Sequence, residues 1–520
     1  MKSILRRELG SPLLMGLVGS LFIALGSLAV GWLGPGSNVR GWPIIQSVRG
    51  NDLLVHISTF VVIGAGLLLV IAWLKLGSAM RKNPADALKR VIVTSVVWAL
   101  PLAFAVPLYS RDLFAYVGQG RLMAGGFNPY VDGISAIQGW FNIGVDPMWA
   151  NAKTPYGPVY LWIEQITVMV AGTSPIMAVA LFRLIAIISA LAIAYFAYRI
   201  ALMRQVDPGK VLWLVLASPV IMFNFVVAGH NDALMLALLI AGVYAALKKH
   251  PIIGILLVTA SVGVKPIAVL ALPIIGIIWA GQNRTVRSTI KYWIVSVAIG
   301  AAVLGALGWL MGIGFGWVLT LATPGSVSHW YAPVNILAIA VGGAFGAFGL
   351  DGEMPANIVK FIAIGVMVLV VAWVMLTKRN LDPLMRLALA FTATVVLSPV
   401  IHPWYAAWCI ILFAIVGIKE GLATHLVVSA SIFFACVSIA EGMDISDSVQ
   451  GDILGYVIRT VFITGGGIAL IIAYCIHEEL SVKLIVQRIR DARERRTVAK
   501  LQRAAAAGAP GRATKARTSA

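Results

Sequence analysis

Charged residues are scarce in this sequence: they make up 12% of its 520 residues, whereas 60% are hydrophobic. One soluble core could not bury that much apolar side chain, so a soluble domain is excluded and a multi-span membrane protein is predicted. Apolar stretches long enough to cross about 30 Å of hydrocarbon occur, for example, at 12–33, 53–74, 175–198, 290–312 and 455–476. A lipid-exposed backbone must satisfy its own hydrogen bonds, which predicts an all-α transmembrane bundle.

Cysteines and acidic clusters are also sparse. The three cysteines, Cys409, Cys436 and Cys475, all lie inside apolar runs, so they indicate neither a disulfide framework nor a zinc site. Carboxylates do not recur at the spacing of a metal site, and Asp112 and Asp232 alone would make a poor magnesium site. We therefore predict a protein without a metal or another cofactor, with a divalent metal as the alternative.

Basic residues outnumber acidic ones, 40 to 21, which gives a net charge of +19. No RNA-binding or DNA-binding motif accompanies this charge, so nucleic acid is not predicted as a partner. From Glu478 onward eleven basic residues stand against four acidic ones. We predict that residues 477–520 form a basic cytoplasmic tail, helical and then disordered, beside an anionic membrane leaflet. Residues 1–476 form the predicted transmembrane domain.

The distribution of Lys and Arg among the loops predicts the topology, because cytoplasmic loops concentrate these residues. It gives about 14 spans, within a range of about 12 to 16, with both termini cytoplasmic. Residues 109–174 become a large first outer loop. Within it, 156–172 is predicted to be an interfacial or re-entrant helix, because a full crossing would strand the next basic loop outside. Residues 333–349 are predicted to form a partial or re-entrant helix.

Polar residues that interrupt apolar sequence all fall on the outer side in this topology. They are Arg111, Asp112, Tyr156, His230, Asn231, Asp232, Lys265, His329, Trp330, Tyr331, His402, Trp404 and Tyr405. A single His or Lys at a span end is commonly an interfacial anchor, and Trp and Tyr are commonly belt residues. The stretch "GHND" fits a simple turn less easily, since it stands between two apolar runs. Because all of these residues fall on the same side of the membrane, we predict an outward-facing polar cavity.

Such a cavity suits glycosyl transfer from a lipid-linked sugar phosphate. A carboxylate at the boundary of water and lipid can remove a proton from an incoming hydroxyl group. Arg, Lys and His side chains can hold a phosphate and stabilise the charge that develops as it leaves. Aromatic rings and an Asn or Asp set suit the apolar and hydroxylated faces of a sugar. The sequence therefore predicts a membrane glycosyltransferase.

Five segments of the chain resemble a known family. They are "SRDLFAYVGQGRLMAGGFNPY", "TPYGPVYLW", "AGHNDALMLAL", "KPIAVLALP" and "SPVIHPWYAAW". In combination they are similar to the polyprenol-phosphate-mannose-dependent α-(1→6)-mannopyranosyltransferases of actinobacteria, over about residues 10–475. The resemblance implies the GT-C fold class of integral membrane glycosyltransferases. It also implies a multi-pass protein of the plasma membrane whose active site faces the outer side.

The resemblance further implies a reaction and its partners. Mannose moves with inversion from a polyprenyl phosphate to the 6-hydroxyl of a mannan chain on a phosphatidylinositol-type or related glycolipid, in lipomannan and lipoarabinomannan synthesis. The family's acidic residue in the first outer loop matches Asp112, which is the expected general base. Binding of the donor phosphate is assigned to Arg111, Lys265 and His402. Sugar and acceptor contacts are assigned to Tyr156, His230, Asn231, Asp232, His329, Trp330, Trp404 and Tyr405.

Two expectations concern the start of the outer loop. Arg111 would favour the ionised form of Asp112 if their side chains meet. The glycines from Gly118 to Gly126 would let this segment lie flat on the membrane surface with its aromatic rings dipping in. Two alternatives stay open. One is a transporter or flippase for a lipid-linked sugar, for which paired broken helices and inverted repeats are expected; the other is a transferase with a different sugar or acceptor.

Overall fold

The computed structural model describes residues 11–321, 323, 329, 331–376, 381–418, 421–441, 443, 453–477, 490, 494 and 497. Every regular element within these residues is a helix. The chain divides into two compact units, Met1–Gly467 and Ile468–Ala520, and each is described by itself. Trp330 and nearly all of the predicted tail, 477–520, lie outside the described residues, so the roles assigned to them stay predictions.

The described helices follow one another with short connections. In chain order they are α1 (Pro12–Val30), α2 (Pro43–Arg49), α3 (Asp52–Lys82), α4 (Ala87–Ala103), α5 (Asp112–Ala124), α6 (Trp140–Ile143), α7 (Pro158–Ala171), α8 (Pro175–Met203), α9 (Pro208–Val215), α10 (Pro219–Ile221), α11 (Asp232–Leu247), α12 (Pro251–Val262), α13 (Ala271–Ala280), α14 (Val286–Leu310), α15 (Gly316–Leu319), α16 (Pro333–Ala347), α17 (Glu353–Leu376), α18 (Pro383–Leu397), α19 (Tyr405–Val416), α20 (Leu422–Glu441) and α21 (Ile453–His477). A π-helix, Met222–Val227, continues α10. Short 3-10 helices lie at Asn38–Gly41, Pro84–Asp86, Ile134–Ala136, Pro147–Trp149 and Pro266–Leu270.

Proline and short polar side chains set where many of these helices begin. Proline is the first residue of α1, α7, α8, α9, α12, α16 and α18, a position where its missing N–H is not needed. The hydroxyls of Ser11 and Ser174 cap α1 and α8 by accepting hydrogen bonds from the backbone N–H groups of Leu14 and Met177. The sequence therefore encodes these helix starts locally.

Six helices are long and apolar enough to cross a membrane: α1, α3, α8, α14, α17 and the Leu422–Ala440 part of α20. A seventh arises if α9 and the α10–π-helix segment, which bend by 41° at their junction, form one broken span. The five long apolar stretches predicted from the sequence are confirmed as helices, and the chain is a helical, multi-pass membrane protein. The count of about 14 spans and the cytoplasmic termini stay predictions.

Central helices are buried on all sides, whereas peripheral ones expose apolar faces. Most residues of α9, α11 and α19 are buried, but only Val374 and Met375 are buried in α17. Trp73 of α3 and Trp213 of α9 join two central elements. Their rings stack with centroids 4.6 Å apart, and each indole N–H donates to the other's backbone carbonyl at 3.0 Å. The exposed apolar faces of the outer helices suit contact with lipid.

The expectation that the segment around α5 lies flat on the membrane surface is wrong. Phe114 and Tyr116 are only 4% and 0% exposed, because α5 packs inside the protein. Gly120 permits the close approach of α7: a Cβ at this position would lie 2.5 Å from the backbone carbonyl oxygen of Glu164. Gly118 and Gly120 therefore allow close packing of α5 rather than a surface conformation.

Candidate active site

Asp112 is the first residue of α5 and follows a tight turn. Tyr109 in that turn has a left-handed φ of 70°, and its buried ring packs against Phe223 with centroids 4.9 Å apart. The backbone N–H of Asp112 then donates to the Ser110 hydroxyl at 3.1 Å. A strained non-glycine residue is retained where packing enforces it, often beside a functional group. The positive end of the α5 dipole also favours a carboxylate at this position.

His230 stands behind Asp112. Its Nδ1 lies 3.2 Å from Asp112 Oδ2; the histidine side chain is fully buried, while 16% of the Asp112 side chain is exposed. Gly229, with a φ of 67°, turns the chain after the π-helix, and the backbone N–H of His230 donates to the Asn224 carbonyl at 3.0 Å. The imidazole stacks on Trp404 with centroids 3.8 Å apart. Backbone and ring contacts together hold the imidazole against the carboxylate.

The surroundings of Asp112 favour its ionised form. Burial raises the pKa of this carboxyl, but the contact with His230 and the charges of His230 and Lys265 outweigh the burial. The pKa of Asp112 therefore lies below its usual value. An ionised carboxylate at neutral pH is what a general base requires.

Asp232 is a second carboxylate near the cleft, and its side chain is fully buried. Its Oδ2 lies 2.5 Å from Lys265 Nζ, and its Oδ1 accepts a hydrogen bond from Trp408 Nε1 at 2.7 Å. The Lys265 ammonium also lies 5.7 Å and 6.0 Å from the ring centroids of Tyr405 and Trp408, which stack on each other at 4.1 Å. One buried carboxylate thus fixes both the lysine and the aromatic wall beside it.

A row of rings continues this wall. His402 stacks on Trp404 with centroids 4.4 Å apart, and His329 meets His402 edge-on at 4.6 Å. Burial lowers the pKa of His402 well below its usual range, so the imidazole is neutral at physiological pH. A neutral imidazole can donate one hydrogen bond to a phosphate, and the phosphate-binding role of His402 stays a prediction.

These groups border one cleft that opens to solvent and has a cavity volume of about 80 Å³. The residues predicted for the site that line it are Asp112, Tyr156, Lys265, His402, Trp404 and Tyr405. These residues come from four separate parts of the chain. The structure thus brings together polar positions that the sequence placed on one side of the membrane.

Arg111 is directed away from this cleft. Its guanidinium donates to the carbonyls of Gly144 and Val145 at 2.9 Å and 3.2 Å and lies 3.7 Å from Asp146 Oδ2. The same group covers the ring of Trp32 at 4.6 Å. These contacts tie the start of α5 to the outer loop. Arg111 does not line the cleft, and its predicted role in phosphate binding stays a prediction.

The polar residues of the "GHND" segment are buried beneath the residues that line the cleft. His230, Asn231 and Asp232 are 0%, 3% and 0% exposed and do not line the cleft. His230 contacts Asp112 and Asp232 contacts Lys265, whereas the predicted contact of these residues with sugar stays a prediction. The backbone N–H of Asn231 also donates to the Tyr116 hydroxyl at 3.3 Å, which links this segment to α5.

Sequence reasoning missed several residues of the site. Trp408 lies one helical turn after Trp404 on α19, a spacing that could have identified it. Gln119, Trp149 and Lys153 also line the cleft, but no local pattern distinguishes them from ordinary loop or helix residues.

Within the described ranges, no three His, Cys, Asp or Glu side chains are grouped so as to hold a metal ion. Metal independence stays a prediction.

Two family models match this chain. One, described as "Alpha-(1->6)-mannopyranosyltransferase, N-terminal domain", matches residues 13–281. The chain belongs to the alpha-(1->6)-mannopyranosyltransferase family. The other, described as "MptB C-terminal domain", matches residues 334–464. Asp112, Asp232 and Lys265 lie in the first matched region, whereas His402 and Trp404 lie in the second. The cleft is therefore built from both regions of a family member.

Curated relatives agree with this membership. A probable alpha-(1->6)-mannopyranosyltransferase of Mycolicibacterium smegmatis is 28% identical over 459 residues, covering 78% of this chain and 79% of the relative. An alpha-(1->6)-mannopyranosyltransferase of Mycobacterium tuberculosis is 27% identical, covering 81% of this chain and 80% of the relative. Alpha-(1->6)-mannopyranosyltransferase A of Corynebacterium glutamicum is 29% identical, with coverages of 72% and 82%. No solved structure matches the chain.

Proposed function

We propose that this family member transfers mannose from polyprenyl-phosphate-mannose to the 6-hydroxyl of an α-(1→6)-mannan chain on a glycolipid acceptor. The relatives' names support the sugar and the linkage. The observation that carries the mechanism is the Asp112 carboxylate, partly exposed in a cleft and held 3.2 Å from a buried His230. The proposal places the cleft at the outer face of the plasma membrane, in lipomannan and lipoarabinomannan synthesis.

The proposed reaction is a single displacement with inversion at the anomeric carbon. Asp112 takes the proton of the acceptor 6-hydroxyl as its oxygen forms a bond to that carbon. The bond from the anomeric carbon to the phosphate oxygen breaks, and the electron pair leaves with the polyprenyl phosphate. The protonated Asp112 then returns its proton to water in the open cleft. This displacement forms no covalent intermediate with the protein, so one carboxylate at the cleft surface is sufficient.

The aromatic wall supplies sugar binding in this proposal. Tyr156, Trp404 and Tyr405 line the cleft, and aromatic rings pack well against the apolar face of a pyranose. Asp232 holds Lys265 and Trp408 behind this wall, so the rings are fixed before substrate binds. Such preorganisation reduces the entropy that binding would otherwise lose.

The donor class is tested with purified protein in liposomes. Labelled mannose is supplied either as polyprenyl-phosphate-mannose or as GDP-mannose, with the same mannan acceptor. We expect labelled acceptor only from the lipid-linked donor, because the cleft belongs to a protein embedded in the membrane. The Asp112→Asn variant gives the background. Labelling from GDP-mannose would contradict the proposal, and movement of intact donor across the bilayer without consumption would support a flippase instead.

A pH profile tests how His230 acts. Asp112 must be ionised, so kcat/KM falls as the pH drops through its pKa; His230 keeps that pKa low and the enzyme active at lower pH. We expect His230→Phe, which retains a ring against Trp404 but loses Nδ1, to move the acidic limb to higher pH. His230→Gln retains a polar group, so we expect it to move the acidic limb less than His230→Phe does. An equal loss of rate at every pH would indicate a purely structural role.

A further inference from the structure

The positive charge of Lys265 is already compensated within the protein. Its Nζ lies 2.5 Å from the fully buried carboxylate of Asp232, and only 12% of the lysine side chain is exposed. The carboxylate therefore offsets part of the charge that the ammonium presents to a ligand in the cleft. Lys265 is well placed to order the aromatic wall, and it supplies less charge to a phosphate than an unpaired lysine would.

Lys153 is the contrasting case on the same cleft. It lines the cleft together with Asp112, its side chain is exposed, and it forms no ion pair with any residue that the structure describes. Its charge is thus available to a ligand. Its exposed position also leaves the four-carbon stem free to follow a phosphate as the reaction proceeds.

The backbone on both sides of Lys153 is held in place. The N–H of Ala152 donates to the Trp149 carbonyl at 3.1 Å, and the N–H of Thr154 donates to the Pro129 carbonyl at 3.0 Å. The buried hydroxyl of Thr154 donates to Gln119 Oε1 at 3.2 Å. The backbone at Lys153 is therefore held in place relative to α5, the helix that begins with Asp112.

Gln119 adds a second donor beside Lys153. Because its Oε1 accepts the hydrogen bond from Thr154, its side-chain NH₂ group is left to a ligand in the cleft that Gln119 also lines. An ammonium and an amide N–H₂ in one wall form a pair of donors suited to phosphate oxygens. No local pattern in the sequence indicates this pair, because the two residues are joined through the hydrogen bond of Thr154.

We propose that Lys153, assisted by Gln119, binds the phosphate of the lipid-linked donor, an inference that rests on the function proposed above. When the bond between the anomeric carbon and the phosphate oxygen breaks, the departing phosphate gains one negative charge. An uncompensated ammonium stabilises this charge more in the transition state than in the ground state. Lys153 therefore influences turnover as well as donor binding, whereas Lys265 positions the wall.

The test compares Lys153→Ala, Lys153→Arg and the control Lys89→Ala, an exposed lysine outside the cleft. Donor kinetics use a short α-(1→6)-mannoside, which contains no phosphate, as the acceptor. We expect Lys153→Ala to lower kcat/KM for the donor by about 10- to 100-fold, the range of a lost charged hydrogen bond. The KM of the mannoside stays within about twofold, Lys153→Arg recovers most of the loss, and Lys89→Ala behaves as wild type.

Direct binding of polyprenyl phosphate to the same variants, measured by intrinsic fluorescence, gives a readout that does not depend on catalysis. We expect a weaker affinity for Lys153→Ala by a similar factor, at an unchanged thermal unfolding temperature. Unchanged donor kinetics and unchanged affinity would overturn the proposal. An effect seen only with a phosphate-bearing glycolipid acceptor would also overturn it, because the ligand would then be the acceptor's anchor. If the wild-type protein binds polyprenyl phosphate through Lys153 but forms no product, the proposed function is wrong. The phosphate-binding site at Lys153 is then still supported.

Discussion

Asp112→Asn is expected to lower kcat by about 10²- to 10⁴-fold, the range that general-base catalysis contributes. The amide has nearly the shape of the carboxylate and can keep a polar contact with His230, but it cannot accept the proton of the acceptor hydroxyl. Asp112 is partly exposed in the cleft, so water can solvate the substituted amide. Initial rates with saturating donor and acceptor, normalised to protein in the membrane, provide the measurement.

Asp52→Asn is a matched control for this substitution. Asp52 is the first residue of α3, as Asp112 is the first residue of α5, but it is exposed and lies outside the cleft. Both changes remove a favourable interaction with a helix dipole, which is worth only about 0.3–1 kcal/mol. Full activity of Asp112→Asn at a normal protein level would falsify the assignment of Asp112 as the base.

The second large effect is expected at Asp232. Asp232→Asn keeps an oxygen for the Trp408 indole but removes the charge that lies 2.5 Å from the Lys265 ammonium. Breaking a buried ion pair by removing one partner typically costs about 3–5 kcal/mol, because the remaining charge is left without compensation. We expect a clearly lower thermal unfolding temperature and a loss of activity.

A double variant separates this charge effect from the loss of a contact. Asp232→Asn combined with Lys265→Met removes both charges and retains the acceptor for Trp408. Replacement of a complete buried pair is commonly near neutral, so the double variant is expected to recover most of the stability lost by the single one. If Asp232→Asn alone unfolded at the wild-type temperature, or if the double variant were no better, the buried pair would not be the feature that holds this wall.

The sequence predicted the composition of the site better than its internal arrangement. Hydropathy and positive charge placed Asp112, the "GHND" segment, Lys265 and the His402 segment on one side, and the structure brings all four together. Which polar group faces which other group depends on packing between distant helices. His230 therefore approaches Asp112, and Asp232 approaches Lys265, in a pairing that no local pattern reveals.

Three differences show where sequence reasoning ends. Arg111 is next to Asp112 in the chain but is directed to the outer loop, after the left-handed turn at Tyr109. The glycines of α5 were expected to give a surface segment, yet they allow close helix packing because α7 approaches the backbone at Gly120. Lys153 resembles any loop lysine, and only the hydrogen bonds on both sides of it place it on the wall of the cleft.

The most direct test of the proposed reaction is the incubation of purified protein with polyprenyl-phosphate-mannose and a short α-(1→6)-mannoside, followed by linkage analysis of the product. We predict an oligosaccharide longer by one mannose and joined by a new α-(1→6) bond, formed by wild type and reduced to background by Asp112→Asn. A donor that stays intact, or a product with a different linkage, would contradict the proposed function.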